Sequence, residues 1–222
     1  MKKHIILFSL FSFSLALGSC SKKQETAATD STANVTTTAA PASTTQPVTA
    51  GKYKLKSAIV TSTMEMPSLK QHSTEVLYFD NYGAQEAKET TGDIMGIKMH
   101  TLTFSKDGYT YHIDLENKTG TRTKGGVVSA DMDYSHLTPK LEAEYNIKKE
   151  GTEEVAGKTC DVYSMDSKMM KGRVSSWQGI PMHMDAAVSG MQMKSTVTSI
   201  EENAAIPADK FEVPAGITVK EM

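Results

Sequence analysis

The chain has 222 residues, with 24 Lys and Arg against 26 Asp and Glu, a formal charge of −2. That balance, without a basic cluster, excludes an electrostatic footprint for nucleic acid, and two cysteines are too few for a disulfide framework. The length bounds the folded part to one domain of ordinary size.

Residues 1–19 read as a secretory leader. Lys2 and Lys3 precede an apolar stretch from Ile5 to Leu17 that is interrupted by Ser9, Ser12 and Ser14. A bilayer span needs roughly 20 apolar residues, so this stretch is too short to cross. It ends in Leu17-Gly18-Ser19-Cys20, which resembles the lipobox of bacterial lipoproteins. That resemblance implies cleavage before Cys20 and acylation of its sulfur, a membrane anchor. Without Lys2 and Lys3 the remaining chain has 22 basic and 26 acidic residues, a formal charge of −4. No later segment is apolar enough to span a membrane. Ser21 stands where the classical retention signal has Asp, so outer-membrane residence is expected. With Cys20 acylated, Cys160 has no disulfide partner and is expected to be a small buried hydrophobe. Residues 20–51 form a tether, rich in Ala, Thr, Ser, Pro and Gln from Thr26 to Ala50, a composition that cannot bury enough apolar surface to order itself.

Residues 52–222 form the domain, and they read as mainly β. Tyr53 to Met66 is a long strand whose apolar parity switches near Ser57 to Ile59, which suggests a bulge or a sharp coil in the strand. Glu75 to Asp80 is a second strand, closed by a turn over Asp80 to Gly83. Ala84 to Thr91 is a third, polar enough for an edge. Ile97 to Ser105 and Tyr109 to Leu115 flank Asp107-Gly108, a strong hairpin signal. Tyr109, Tyr111, Ile113 and Leu115 alternate with polar residues, so one face is buried and one wet. A turn over Glu116 to Gly120 leads into Thr121 to Lys124, which completes a meander.

A short turn is expected around Asp131 to His136, followed by a helix. Thr138 is placed to cap it and Pro139 to open it, while Leu137, Leu141 and Tyr145 form a single stripe. Further strands are expected near Thr159 to Met165, Gly172 to Trp177 and Val188 to Ile200. Pro207 and Pro214 confine the tail to a loop or a sheet edge.

The segments Glu153 to Tyr163, Val174 to Met184 and Ile200 to Ile217 together resemble a group of Bacteroidetes envelope lipoproteins in the LolA/LolB-like superfamily. Gly157, Cys160, Tyr163, Trp177, Gly179, Pro181, Phe211 and Pro214 carry the match. It implies an α+β, mainly β fold: a strongly curved antiparallel sheet forming a half-barrel around a small helical plug. It also implies an apolar concavity that holds acyl chains in the carriers for which the superfamily is named. Those soluble carriers lack a lipid anchor, so anchorage favours a resident role over a shuttle.

No catalytic or phosphate-binding motif is present, so a non-enzymatic role without cofactors or metal is expected. His72, His100, His112, His136 and His183 fall at no shared ligand spacing. The methionines are the informative residues. Met64/Met66, Met182/Met184 and Met191/Met193 are spaced to share a strand face, with His183 turned the other way. With Trp177 they are candidates to line a hydrophobic ligand. Three readings stay open for these pairs: plain core packing, a pliable lining, and a Cu(I)- or Ag(I)-binding site of soft thioethers. For the whole chain the readings are a lipid- or acyl-binding lipoprotein, expected to be monomeric, whose ligand is a lipid or another lipoprotein; a structural or interaction lipoprotein with a filled core; and a periplasmic soft-metal binder.

Overall fold

A computed structural model of the chain describes residues 51–126, 128, 132, 134 and 136–222. The leader, Cys20 and the tether lie outside these residues, and the turn expected at Asp131 to His136 falls largely outside them. The described strands are β1 (Ala58–Met66), β2 (Gln71–Asp80), β3 (Gln85–Ile94), β4 (Ile97–Lys106), β5 (Tyr109–Asp114) and β6 (Thr119–Lys124). Helix α1 (Pro139–Tyr145) follows, then β7 (Lys148–Val155), β8 (Lys158–Asp166), β9 (Met170–Trp177), β10 (Ile180–Val188), β11 (Met191–Glu202) and β12 (Thr218–Glu221). They make one unclosed 12-stranded sheet, in the order β12-β6-β5-β4-β3-β2-β1-β11-β10-β9-β8-β7. All pairings are antiparallel except the edge strand β12, which runs parallel to β6.

Two-residue turns build this meander. Asp107 and Gly108 both have positive φ, 52° and 75°, the twist that continues a right-handed hairpin. Met95-Gly96, Ala156-Gly157, Gln178-Gly179 and Ser189-Gly190 repeat the same left-handed pair. Glycine at the second position supplies the conformation, so the first position tolerates residues that give no turn signal of their own.

The sheet is strongly curved. β8 and β11 are three strands apart, about 14 Å in a flat sheet, yet Lys158 of β8 pairs with Glu202 of β11. The inner face carries an apolar cluster of Tyr53, Ala58, Val60, Phe79, Cys160, Ile180, Met182 and Val197. The outer face of the other half carries Ala87, Leu102, Phe104 and Ile113, covered by Phe211, Val213, Ile217 and Val219 of the tail. Gly120 allows that cover, since a Cβ there would lie 2.6 Å from Ile113 and 3.2 Å from Val219.

Lys210 fastens the tail, donating to Glu89 at 2.7 Å while His100 contacts the same carboxylate at 2.7 Å. Burial opposes ionisation of Glu89, but Lys210 and His100 outweigh it and hold the carboxyl below its ordinary value. The stabilisation is therefore complete above the unfolded carboxylate pKa of about 4.3 and drains as pH falls through the lower folded value. Amide exchange of Ala208–Phe211 and Thr218–Glu221 should rise on acidification below that range. Glu89→Gln should cost about 1 kcal/mol at neutral pH and remove the step. A tail that exchanges identically in the variant and at all pH values would disprove the latch.

Several expectations need correction. Residues 52–57 are not strand, so the parity switch marks where β1 begins; the irregularity in β1 lies at Thr61/Ser62, opposite β11. β3 is central, not an edge, paired with β2 and β4; Lys88 and Thr90 serve its inner face and Glu89 holds the tail on its outer face. The stretch from Val188 to Ile200 is not one strand, because Ser189-Gly190 separates β10 from β11. β7 and β12 add edge strands that local patterning does not show. The helix is capped as expected, with the Thr138 side chain accepting from the Leu141 amide and Pro139 at its start. It buries none of its seven residues, so the buried part of the plug comes from Tyr134 and Val128 before it.

Candidate functional site

Curling the sheet leaves a cavity of about 320 Å³ on its inner face. Lys88 of β3 and Val174 of β9 both border it, although five strand spacings, about 24 Å, would separate them in a flat sheet. One wall is apolar: Met170, Val174, Met184, Val188, Met193 and Val197 from β9 to β11. Register aligns them, with Met184 opposite both Val174 and Ser195. Val60, Met64 and Leu77 continue this wall onto β1 and β2, and Met132, Tyr134 and Tyr145 close it from the plug.

The facing corner is polar. Ser62 lies in register with Glu75, and Glu75 with Thr90. Lys88 stands diagonally across from Glu75, its ammonium 3.6 Å from the carboxylate. That separation exceeds a direct hydrogen bond. Thr90 reaches Glu75 only at 3.5 Å. Among the described residues Lys88 makes no closer polar contact.

The structure divides the candidate lining residues. Met64, Met184 and Met193 border the cavity. Met182 does not: it is the extra residue of an irregularity between Pro181 and His183, and it is 1% exposed in the apolar cluster beside the cavity. Trp177 packs against that cluster too, with the Lys158 ammonium 4.7 Å from its ring centre. Met66 sits at the end of β1, opposite Gln71. Met191 is exposed at the start of β11. Val174, Val188, Glu75 and Lys88 carried no sequence signal for this role; the alternating polarity of β3 was the available hint.

Only part of the methionine group comes together with His183. Register puts His183 opposite Ser175, next to Met184 opposite Val174, and His183 also borders the cavity. Its Nδ1 lies 3.0 Å from Glu153. The Ser175 hydroxyl and His183 together hold the Glu153 carboxyl below its ordinary value. Of the five residues that could form a soft-metal site here, Met182 lies in the core and Met191 is exposed, while His183, Met184 and Met193 border the cavity. Among the described residues no cluster of His, Cys, Asp and Glu could hold a metal. Cys160 is fully buried and its thiol is pushed up by that burial.

No protein-family model matches the chain, and no curated protein matches its sequence. Solved structures match its fold. An uncharacterized conserved protein from Thermus thermophilus is 8% identical, with a TM-score of 0.54, covering 76% of this chain and 92% of that one. MucB in complex with MucA(peri) is 14% identical, with a TM-score of 0.48 over 76% of this chain and 57% of that one. The Pseudomonas aeruginosa MucA/MucB complex is 14% identical, with a TM-score of 0.45 over 74% and 57%. This chain thus spans a little over half of the matched chains in those complexes. At these identities the likeness is one of fold alone.

Proposed function

We propose that this protein is a membrane-anchored envelope lipoprotein of the LolA/LolB-like kind, resident at the outer membrane, whose half-barrel binds a lipid, an acyl chain or another hydrophobic ligand without catalysing a reaction. The cavity of about 320 Å³ carries this reading. It falls at the small end of ligand pockets, about 300–1,000 Å³, and its mix of apolar wall and few polar groups is typical of them. Four methionines on the wall, Met64, Met170, Met184 and Met193, give it the pliability to fit a flexible chain.

The surface around that end supports the reading. Met95, Ile97, Met169 and Met191 are large, apolar and exposed. They sit on or beside the turns β3–β4, β8–β9 and β10–β11, at the end of the sheet where Met170, Val188 and Met193 border the cavity. Apolar side chains gathered on one end mark a surface that meets a membrane or a partner.

The test uses residues 20–222 carrying Cys20→Ser, which removes the proposed anchor. A fluorescent acyl probe should bind saturably and be displaced by fatty acids, and native mass spectrometry should show one bound chain. Met184→Trp, which fills the cavity, should weaken uptake about tenfold or more. In cells, radiolabelled palmitate should enter the parent chain and not Cys20→Ser. A purified protein that takes up no probe would overturn the ligand reading in favour of an interaction lipoprotein.

A further inference from the structure

Resting on that reading, the polar corner of the cavity narrows the class of ligand. We propose that Ser62, Glu75 and Lys88 receive a zwitterionic head group, so that the ligand is an amphiphile with a single chain and a head carrying one cationic and one anionic group. The chain lies against Met184 and Met193; the ligand's amine meets the Glu75 carboxylate and its phosphate or carboxylate meets the Lys88 ammonium.

Three observations carry this. First, Glu75 and Lys88 are opposite charges on the cavity wall, where the other titratable lining residues are His183, which lies 3.0 Å from Glu153, and the tyrosines Tyr134 and Tyr145. Glu75 and Lys88 are only 15% and 28% exposed. Charges in such a place are costly unless matched. Second, they do not match each other fully. At 3.6 Å the ammonium keeps its donors and the carboxylate most of its lone pairs available, so each can accept a further partner. Third, the pair has no net charge. A head with a single charge would satisfy one member and confront the other at nearly the same distance. A head that bears both charges satisfies both and leaves the filled cavity neutral. The Ser62 hydroxyl, beside Glu75 in register, can donate to or accept from either end of the head. The size fits as well, since about 320 Å³ suits one chain rather than two.

Three probes with the same twelve-carbon chain separate the possibilities: lauroyl lysophosphatidylethanolamine, laurate and dodecyltrimethylammonium. Each is titrated calorimetrically, below its aggregation concentration, into residues 20–222 with Cys20→Ser. The zwitterion should bind about tenfold tighter than either singly charged probe, the scale of one hydrogen bond to a charged group. Lys88→Met should shift the preference to dodecyltrimethylammonium, and Glu75→Gln should shift it to laurate. Each comparison is a ratio on one protein, and the ranking on the unsubstituted cavity is informative even if a variant fails to fold. Equal binding of the three probes, preference for a singly charged one, or a ranking untouched by both substitutions would overturn the head-group assignment and leave the cavity reading standing. No binding of any probe would overturn both.

Discussion

Phe79→Ala lowers the unfolding free energy by about 3–5 kcal/mol, the range for deleting a buried aromatic ring. Phe79 is 0% exposed on the inner face of β2, and its ring centre lies 4.2 Å from that of Tyr53. Ala58 faces it in register, and Val60 and Met182 belong to the same cluster. These neighbours are held on paired strands, so they cannot collapse into the space, and the cavity term adds to the lost transfer energy. Urea denaturation should show a lower midpoint with an unchanged slope. By contrast Met182→Leu, which nearly conserves volume, should cost less than about 1.5 kcal/mol. A Phe79→Ala loss below about 1 kcal/mol would show that this cluster is not the organising core.

Lys52→Met should cost about 2–3 kcal/mol, somewhat below the 3–5 kcal/mol typical of breaking a buried ion pair because Lys52 keeps some solvent contact. The Lys52 ammonium donates to Glu86 at 3.0 Å, and the Tyr53 hydroxyl donates to the same oxygen at 2.7 Å. The Glu86 side chain is 8% exposed and that of Lys52 is 19% exposed. Removing Lys52 leaves a carboxylate that burial has stripped of water and only neutral donors to replace it. Pairing Lys52→Met with Glu86→Leu removes the orphaned charge together with its partner, so the double variant should lose about 1–2 kcal/mol less than the sum of the single losses. Strict additivity would mean that the two side chains do not act as a pair. The contact matters for the site because residues 52–57 precede β1, and Tyr53 packs on Phe79 at one end of the apolar cluster.

Local chemistry made much of the meander legible. Asp107-Gly108 marks its hairpin because both residues tolerate positive φ, and Thr138 with Pro139 marks the helix start because a hydroxyl and a missing amide proton act within one turn. Ser189-Gly190 makes the same kind of turn, but the strand read from Val188 to Ile200 runs across it, and most of β10 (Ile180–Val188) falls outside any expected strand. β7, with Lys148, Lys149, Glu150, Glu153 and Glu154, is an edge strand exposed on most of its length, so it shows no alternation to detect. β12 is four residues long and pairs with β6, a contact spanning about a hundred residues that no local pattern encodes.

What the sequence by itself determined is the succession of β1 to β6 and the capped helix, because side-chain alternation and turn chemistry act over a few residues. Which methionines border the cavity was decided only by tertiary structure. An irregularity at Met182 sends that side chain into the core while Met184, two residues on, borders the cavity. The curl of the sheet then brings Lys88 and Val174 to one cavity from strands that flat pairing would hold far apart. Curvature sums small twists over many strand pairs, and no single segment carries that sum.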